Sequence, residues 1–163
     1  MKTLAILFLT LLPIALKADK SLPEGDQHVA MLDQELDDVL SASILLKRCV
    51  DQDRSKAEAV NAANVLADNY DRLCAHLIQF YVWIKDWSQT SGKPSEFSIA
   101  AQERLHDLVN RVNTVAMSGF QDLADAFKKK PQYDQDLALM AAVQRITASV
   151  YAMKTLKARA DGK

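Results

Sequence analysis

The residues of this chain that could do chemistry are few and scattered. Glu103 and His106 stand three apart, the step that sets a carboxylate and an imidazole on one helix face. A di-metal helical bundle needs a second Glu-x-x-His pair and further inward glutamates, and neither His28 nor His76 supplies one. A structural or surface role, not ligation, is therefore expected for His106. His76 lies two residues from Cys74, a spacing at which helical side chains point in different directions, so the two do not make a nucleophile and its base. Asp51, Asp53 and Ser55 begin like a calcium loop, but Lys56 stands where glycine is required and Ala62 where the last carboxylate belongs. There is no Gly-rich phosphate loop, haem-attachment motif or zinc tetrad. No catalytic residue, metal ligand or cofactor is assigned, and the chain is expected not to be an enzyme.

What the sequence does specify is a set of amphipathic helices. Ala59, Ala63, Leu66, Tyr70, Leu73, Leu77, Phe80, Ile84 and Trp87 recur at steps of three and four over residues 56–87, the period of a helix with one face in a core. Ser55 and Glu58 have the spacing of a capping box at its start. Upstream, Val29, Leu32, Leu36, Val39, Leu46 and Val50 form a first stripe, widened by Leu40, Ile44 and Leu45, with Ser21 or Asp26 as its cap. Downstream of a break at residues 88–94, which carries Gly92 and Pro94 and should face solvent, a third stripe runs Ala101, Leu105, Leu108, Val112, Val115, Gly119, Leu123 and Ala126. After the Lys128 to Pro131 punctuation, Asp134 is the expected cap of a fourth, carried by Leu139, Val143, Ile146, Val150 and Met153. Residues 157–163 are polar and expected to fray. Four stripes on short links predict an all-α fold, an antiparallel four-helix bundle, with five helices if one long helix breaks.

Residues 1–18 read differently. Lys2, the apolar run from Leu4 to Leu12 and the small Ala18 have the layout of a cleaved secretory signal, leaving residues 19–163 as a single domain. Without Lys2 and Lys17 the net charge moves from -1 to -3, which gives no case for nucleic-acid binding. Localisation is expected to be secreted or cell wall, with the periplasm as the alternative. Cys49 and Cys74 suit an oxidising compartment. A disulfide between them is left open, because the helix layout places them roughly 25 to 30 Å apart.

The aromatic run from Phe80 to Trp87 is the most distinctive apolar feature. Aromatic side chains of this kind line grooves and contact surfaces. A ligand site between the helices is expected to use Leu73, Leu77, Phe80, Tyr81, Trp83, Ile84 and Trp87 of the second stripe. Opposite them it would use Leu108, Val112, Val115 and Gly119 of the third stripe and Met153 of the fourth.

The Ala-rich residues 56–71, with interleaved Val and Leu, and residues 108–142, with Leu108-Val109-Asn110-Arg111-Val112-Asn113 before Lys129-Lys130-Pro131-Gln132-Tyr133-Asp134, carry a resemblance. In these segments the chain resembles the fungal hydrophobic-surface-binding and cell-wall galactomannoprotein family. The resemblance implies a helical bundle that attaches to apolar surfaces or captures fatty-acid-like ligands outside the cell. The expected partner is thus a lipid, an apolar small molecule or an apolar surface, and the alternative is a structural bundle with a protein partner.

Overall fold

The computed structural model describes residues 22–90, 92–130, 132–133 and 136–162; the expected leader, residues 1–18, lies outside them, as do Ser21 and Asp134. The described chain is all-α, with α1 (Glu24–Asp51), α2 (Lys56–Gln89), α3 (Ile99–Arg111), a π-helical segment (Val112–Ser118), α4 (Gly119–Lys128) and α5 (Leu137–Ala160). Since α3, the π segment and α4 follow one another without a gap, they make a single third rod, and the fold is a bundle of four rods.

Local chemistry accounts for most of the boundaries. Ser55 caps α2 through the capping box, its Oγ accepting from the Glu58 N–H while the Glu58 carboxylate accepts from the Ser55 N–H at 3.1 Å. Ser98 caps α3, and Asp136 caps α5 by accepting from the Ala138 and Leu139 N–H groups, each at 3.0 Å. At α1 Asp26 is not the cap, because Pro23 holds the N-cap position without a side-chain bond and the Asp26 carboxylate is bonded to Ser98. The C-terminal end does not fray at Lys157 either. Helix α5 continues to Ala160, with Lys157 Nζ 2.7 Å from Asp161.

Consecutive rods run antiparallel, yet they are not all packed as consecutive neighbours. Helix α1 packs on α2 and on the third rod, and α2 also packs on α5. The cross-links give the directions. Asp26 meets Ser98 and Asp37 meets Arg111, so α1 and the third rod run parallel; Asp33 accepts from both Arg104 and Arg111 along the same seam. Lys56 meets Asp136 at 3.2 Å, Asp68 meets Arg145 at 2.7 Å and Asp71 meets Ser149 at 2.7 Å, so α2 and α5 also run parallel. Parallel neighbours bring like ends of their macrodipoles together. Rows of opposite charge across both seams offset that and fix the register.

Such neighbours require loops that travel. The link from α2 to α3 passes over the start of α1, where the Gly25 N–H donates to the Glu96 carbonyl at 2.8 Å. There Asp26 accepts from the Ser98 N–H at 2.8 Å and from its hydroxyl at 2.6 Å. The described residues of 88–94 are exposed, as expected, apart from half-buried Gly92; burial begins after them, at Phe97, which is only 1% exposed. The link into α5 crosses the α1–α2 turn, with the Tyr133 hydroxyl donating to the Arg54 carbonyl at 2.8 Å and Lys130 paired with Asp53 at 2.6 Å.

Gly25 is held to its identity by this crossing. A Cβ there would stand 2.5 Å from the Phe97 ring and 2.6 Å from Trp83, so a methyl group has to push two packed rings apart. We expect Gly25→Ala to lower the unfolding free energy by about 1–3 kcal/mol, read as a lower urea midpoint with an unchanged slope. An unshifted midpoint would mean that the rings yield freely.

Candidate functional site

The third rod and α5 are neighbours that meet at the π segment, and from there toward the C-terminal end of α5 an apolar cleft of about 270 Å³ opens between them. Its back is formed by Leu32 of α1 and by Leu77, Phe80, Tyr81 and Ile84 of α2. One wall is Leu105, Leu108, Val109, Val112, Asn113 and Met117, and the other is Met153, Leu156, Lys157 and Ala160, with Asp161 beyond. All four rods contribute, as they must in a bundle whose ligand sites lie between helices. The polar members are few, namely Asn113, Lys157, Asp161 and the Tyr81 hydroxyl.

The π segment shapes the wall. Along α3 the lining residues follow helical steps, Leu105 to Leu108 and Val109, then to Val112 and Asn113; the next is Met117, five beyond Val112. Five is the step of a π-helix, whose hydrogen bonds run from i to i+5, and the Gly119 N–H indeed donates to the Thr114 carbonyl. The insertion moves the apolar stripe by one residue. The stripe expected from the sequence put Val115 and Gly119 on the inner face. Instead Ala116 and Phe120 are buried, Val115 is half-buried, and Gly119 is exposed with space around it.

Tyr70 holds this arrangement from the opposite helix. Its side chain is 1% exposed, its ring meets Phe120 edge-on at 6.0 Å, and its hydroxyl donates to the Ala116 carbonyl at 2.9 Å. Burial pushes the phenol well above its ordinary range, so it stays a neutral donor.

Of the residues expected to line a ligand site, Leu77, Phe80, Tyr81, Ile84, Leu108, Val112 and Met153 are brought together in the cleft. The others are not. Leu73 is fully buried in the core, and Val115 and Gly119 are rotated out by the π step. Trp83 and Trp87 stack on each other at 6.1 Å and meet Phe97 edge-on at 5.5 Å, so these rings clamp the crossing loop. Trp87 also donates its indole N–H to the Lys93 carbonyl at 3.2 Å. Leu32 and Leu105 already stood on predicted stripes and could have been included. Met117, four beyond Asn113 on the same wall, was not among the expected residues.

Glu35, the histidines and the cysteines do not line the cleft. Glu35 is buried at the α1–α2 seam, with His76 Nδ1 at 3.1 Å and Arg72 Nε at 3.6 Å. Glu35 Oε2 and His76 Nδ1 make no hydrogen bond among the described residues. Asn69 crosses the same seam to the Asp38 carbonyl at 2.9 Å. Glu103 and His106 are both exposed. Cys49 and Cys74 are free thiols. The α1–α2 pairing sets Cys74 near the level of Glu35 on α1 and Cys49 about 20–25 Å further along by helical rise, too far for a bridge. Among the described residues no group of three or more His, Cys, Asp or Glu could hold a metal ion, and no helix is long and apolar enough to cross a membrane.

With this geometry established, comparison with known proteins finds no match to a family model, a curated protein or a solved structure.

Two outcomes follow from the buried polar groups. Tyr70→Phe leaves the Ala116 carbonyl without its donor and should destabilise the bundle by about 1–2 kcal/mol, measured by urea unfolding. His28, packed against Phe80 and Trp83 at 5.7 and 5.4 Å, is pushed below its ordinary value of 6.5 first by burial, with Glu24 acting the other way and His76 with it. Its neutral form is favoured by folding, so this stability is present above pH 6.5 and is lost as pH falls through the lower folded value. The urea midpoint should therefore drop between pH 7.5 and pH 5. In His28→Gln that drop should be smaller.

Proposed function

We propose that the protein is an exported, non-catalytic binder of a lipid-like or other small apolar molecule, held in the cleft between the third rod and α5. The observation that carries this is the cleft itself, a largely apolar recess at the lower edge of the size range of small-molecule sites, walled by all four rods. Binding there would be driven by removing apolar surface from water, at roughly 25 cal/mol per Å², and needs no bond-making group. The resemblance to the fungal hydrophobic-surface-binding family implies the same class of ligand. In this proposal residues 1–18 direct export and are removed, and the protein acts at the cell wall, in the medium or in a periplasm.

A second role, as a structural bundle with a protein partner, draws on a different feature. Leu40, Ile44 and Leu45 of α1, expected to widen its core face, are 39%, 45% and 50% exposed.

The deciding experiment is titration of delipidated protein, from residue 19 onward, with an environment-sensitive apolar fluorophore and then with competing fatty acids. We expect saturable binding at one site per chain, weakened ten-fold or more by Leu105→Trp, which fills the cleft from a half-buried position. Absence of saturable binding would leave the protein-partner role as the better account.

A further inference from the structure

We propose that the outer face of α5 is a self-association surface, on which two copies of this chain pair through antiparallel α5 helices about a two-fold axis. This face is distinct from the cleft, and the pairing does not depend on what the cleft holds.

A helix at the surface of a globular protein keeps its charged residues on the solvent side, and α5 does not. Its inner side carries Leu139, Ile146, Val150 and Met153, all buried. On the opposite side Leu137 is 82% exposed and Tyr151 is 72% exposed, and Met140 is exposed as well. Between them stand exposed Ala141, Gln144 and Ala148, at steps of three and four, and the strip runs on to Thr155. In a chain with 25% charged residues, this strip holds no charged side chain. Arg145 is drawn off it toward α2, where Asp68 accepts at 2.7 Å, and Lys154 stands at its other edge by helical spacing. The threonines need no partner across a contact. Thr147 donates its hydroxyl to the Val143 carbonyl at 2.7 Å, and Thr155 donates to the Tyr151 carbonyl at 3.0 Å.

Charge and residue order both fit a second copy of the same strip. A two-fold contact sets one patch against itself, so a patch bearing charge of one sign repels its copy, and a neutral patch does not. Antiparallel pairing also opposes the two helix dipoles. Centring the contact on the strip brings Leu137 of one copy level with Thr155 of the other, Tyr151 level with Met140, and Gln144 level with Ala148. Each match sets a large side chain against a smaller or more flexible one, and the Tyr151 ring gains a thioether contact. Beyond the strip, Arg159 of each copy comes within about one turn of Asp136 at the start of the other α5. The strip is about 28 Å long by helical rise and roughly 10 Å wide, so pairing buries on the order of 800 Å² in total, under the roughly 1,200 Å² of stable complexes. The dimer is therefore weak and comes apart on dilution. Met153 and Lys157 line the cleft from the other side of α5, so pairing leaves the cleft open.

The test is sedimentation velocity of the chain from residue 19 onward, from micromolar to near-millimolar concentration. We expect the sedimentation coefficient to rise with concentration from the monomer toward the dimer value. Ala148→Arg and Tyr151→Lys should each abolish that rise, while Leu45→Glu, which puts charge on the exposed apolar face of α1, should keep it. Leu137→Cys combined with Thr155→Cys should trap the dimer under mild oxidation, with wild type as the control, since the antiparallel register sets these positions side by side. Circular dichroism confirms that each variant is folded, and Tyr151→Lys suffices if Ala148→Arg is not. Wild type that stays monomeric throughout would overturn the proposal; if that monomer binds phosphatidylcholine vesicles and Tyr151→Lys does not, the face serves a lipid surface instead. A dimer that survives both α5 substitutions and is lost in Leu45→Glu would overturn it as well and move the contact to α1. A dimer lost in the α5 variants but not trapped by the cysteine pair would overturn the antiparallel register.

Discussion

The bundle depends on covering the apolar stripe of α2. At 34 residues this helix is longer than α1 at 28 and α5 at 24, and its stripe continues through Phe80, Ile84 and Trp87. A helix of that length is not stable alone in water, and its stability comes from burial of the stripe. Two neighbours shorter than α2 leave its last turns uncovered. The chain meets that need by turning residues 92–98 back over them, with Phe97 wedged against Trp83 and Trp87 and with Gly25 giving way beneath. The aromatic run is thus the lid of the core at one end, which is why its two indoles are unavailable to line the cleft.

The same turn-back decides who stands beside whom. Once the chain has crossed the start of α1, the third rod descends along α1 instead of α2, and α5 is left to pack on the far side of α2. Both placements put parallel helices in contact, and both seams carry acids on one helix and arginine on the other. These exposed pairs add little energy singly, but they penalise a shifted register, in which like charges or unpaired ends would face each other. The two outer rods, the third rod and α5, then touch mainly at the π segment. The cleft is the remainder of that loosely closed side.

Much of this was legible from residue periodicity. The four stripes gave four rods with boundaries close to those observed, and Ser55 with Glu58 announced the start of α2 correctly. The register of the third rod was not legible. Val112, Val115 and Gly119 fit an ordinary helical face as well as Val112, Ala116 and Phe120 do, and the choice between them is made by a Tyr70 hydroxyl more than forty residues earlier. The order of neighbours was equally hidden, because it is set by main-chain bonds such as that from Gly25 to Glu96, which any residue pair could make. For the cleft, Leu77, Phe80, Tyr81 and Ile84 were found because they lie on the stripe of α2. Trp83 and Trp87 stand on the same run but pack on Phe97 and do not line the cleft, because aromatic size alone does not distinguish a clamp from a lining.

Side-by-side parallel rods also carry a cost in time. The pairs that close the two seams, Asp26 with Ser98 and Asp71 with Ser149, are separated by 72 and 78 residues, whereas α1 and α2 can zip together through a turn of four. Long separations delay assembly, since the intervening chain loses its freedom before any contact compensates. During synthesis, the α1–α2 hairpin therefore emerges with one flank of α2 bare until the final helix arrives. In that interval the chain presents an oily, half-built surface, and the last two dozen residues decide whether it closes on itself or on something else.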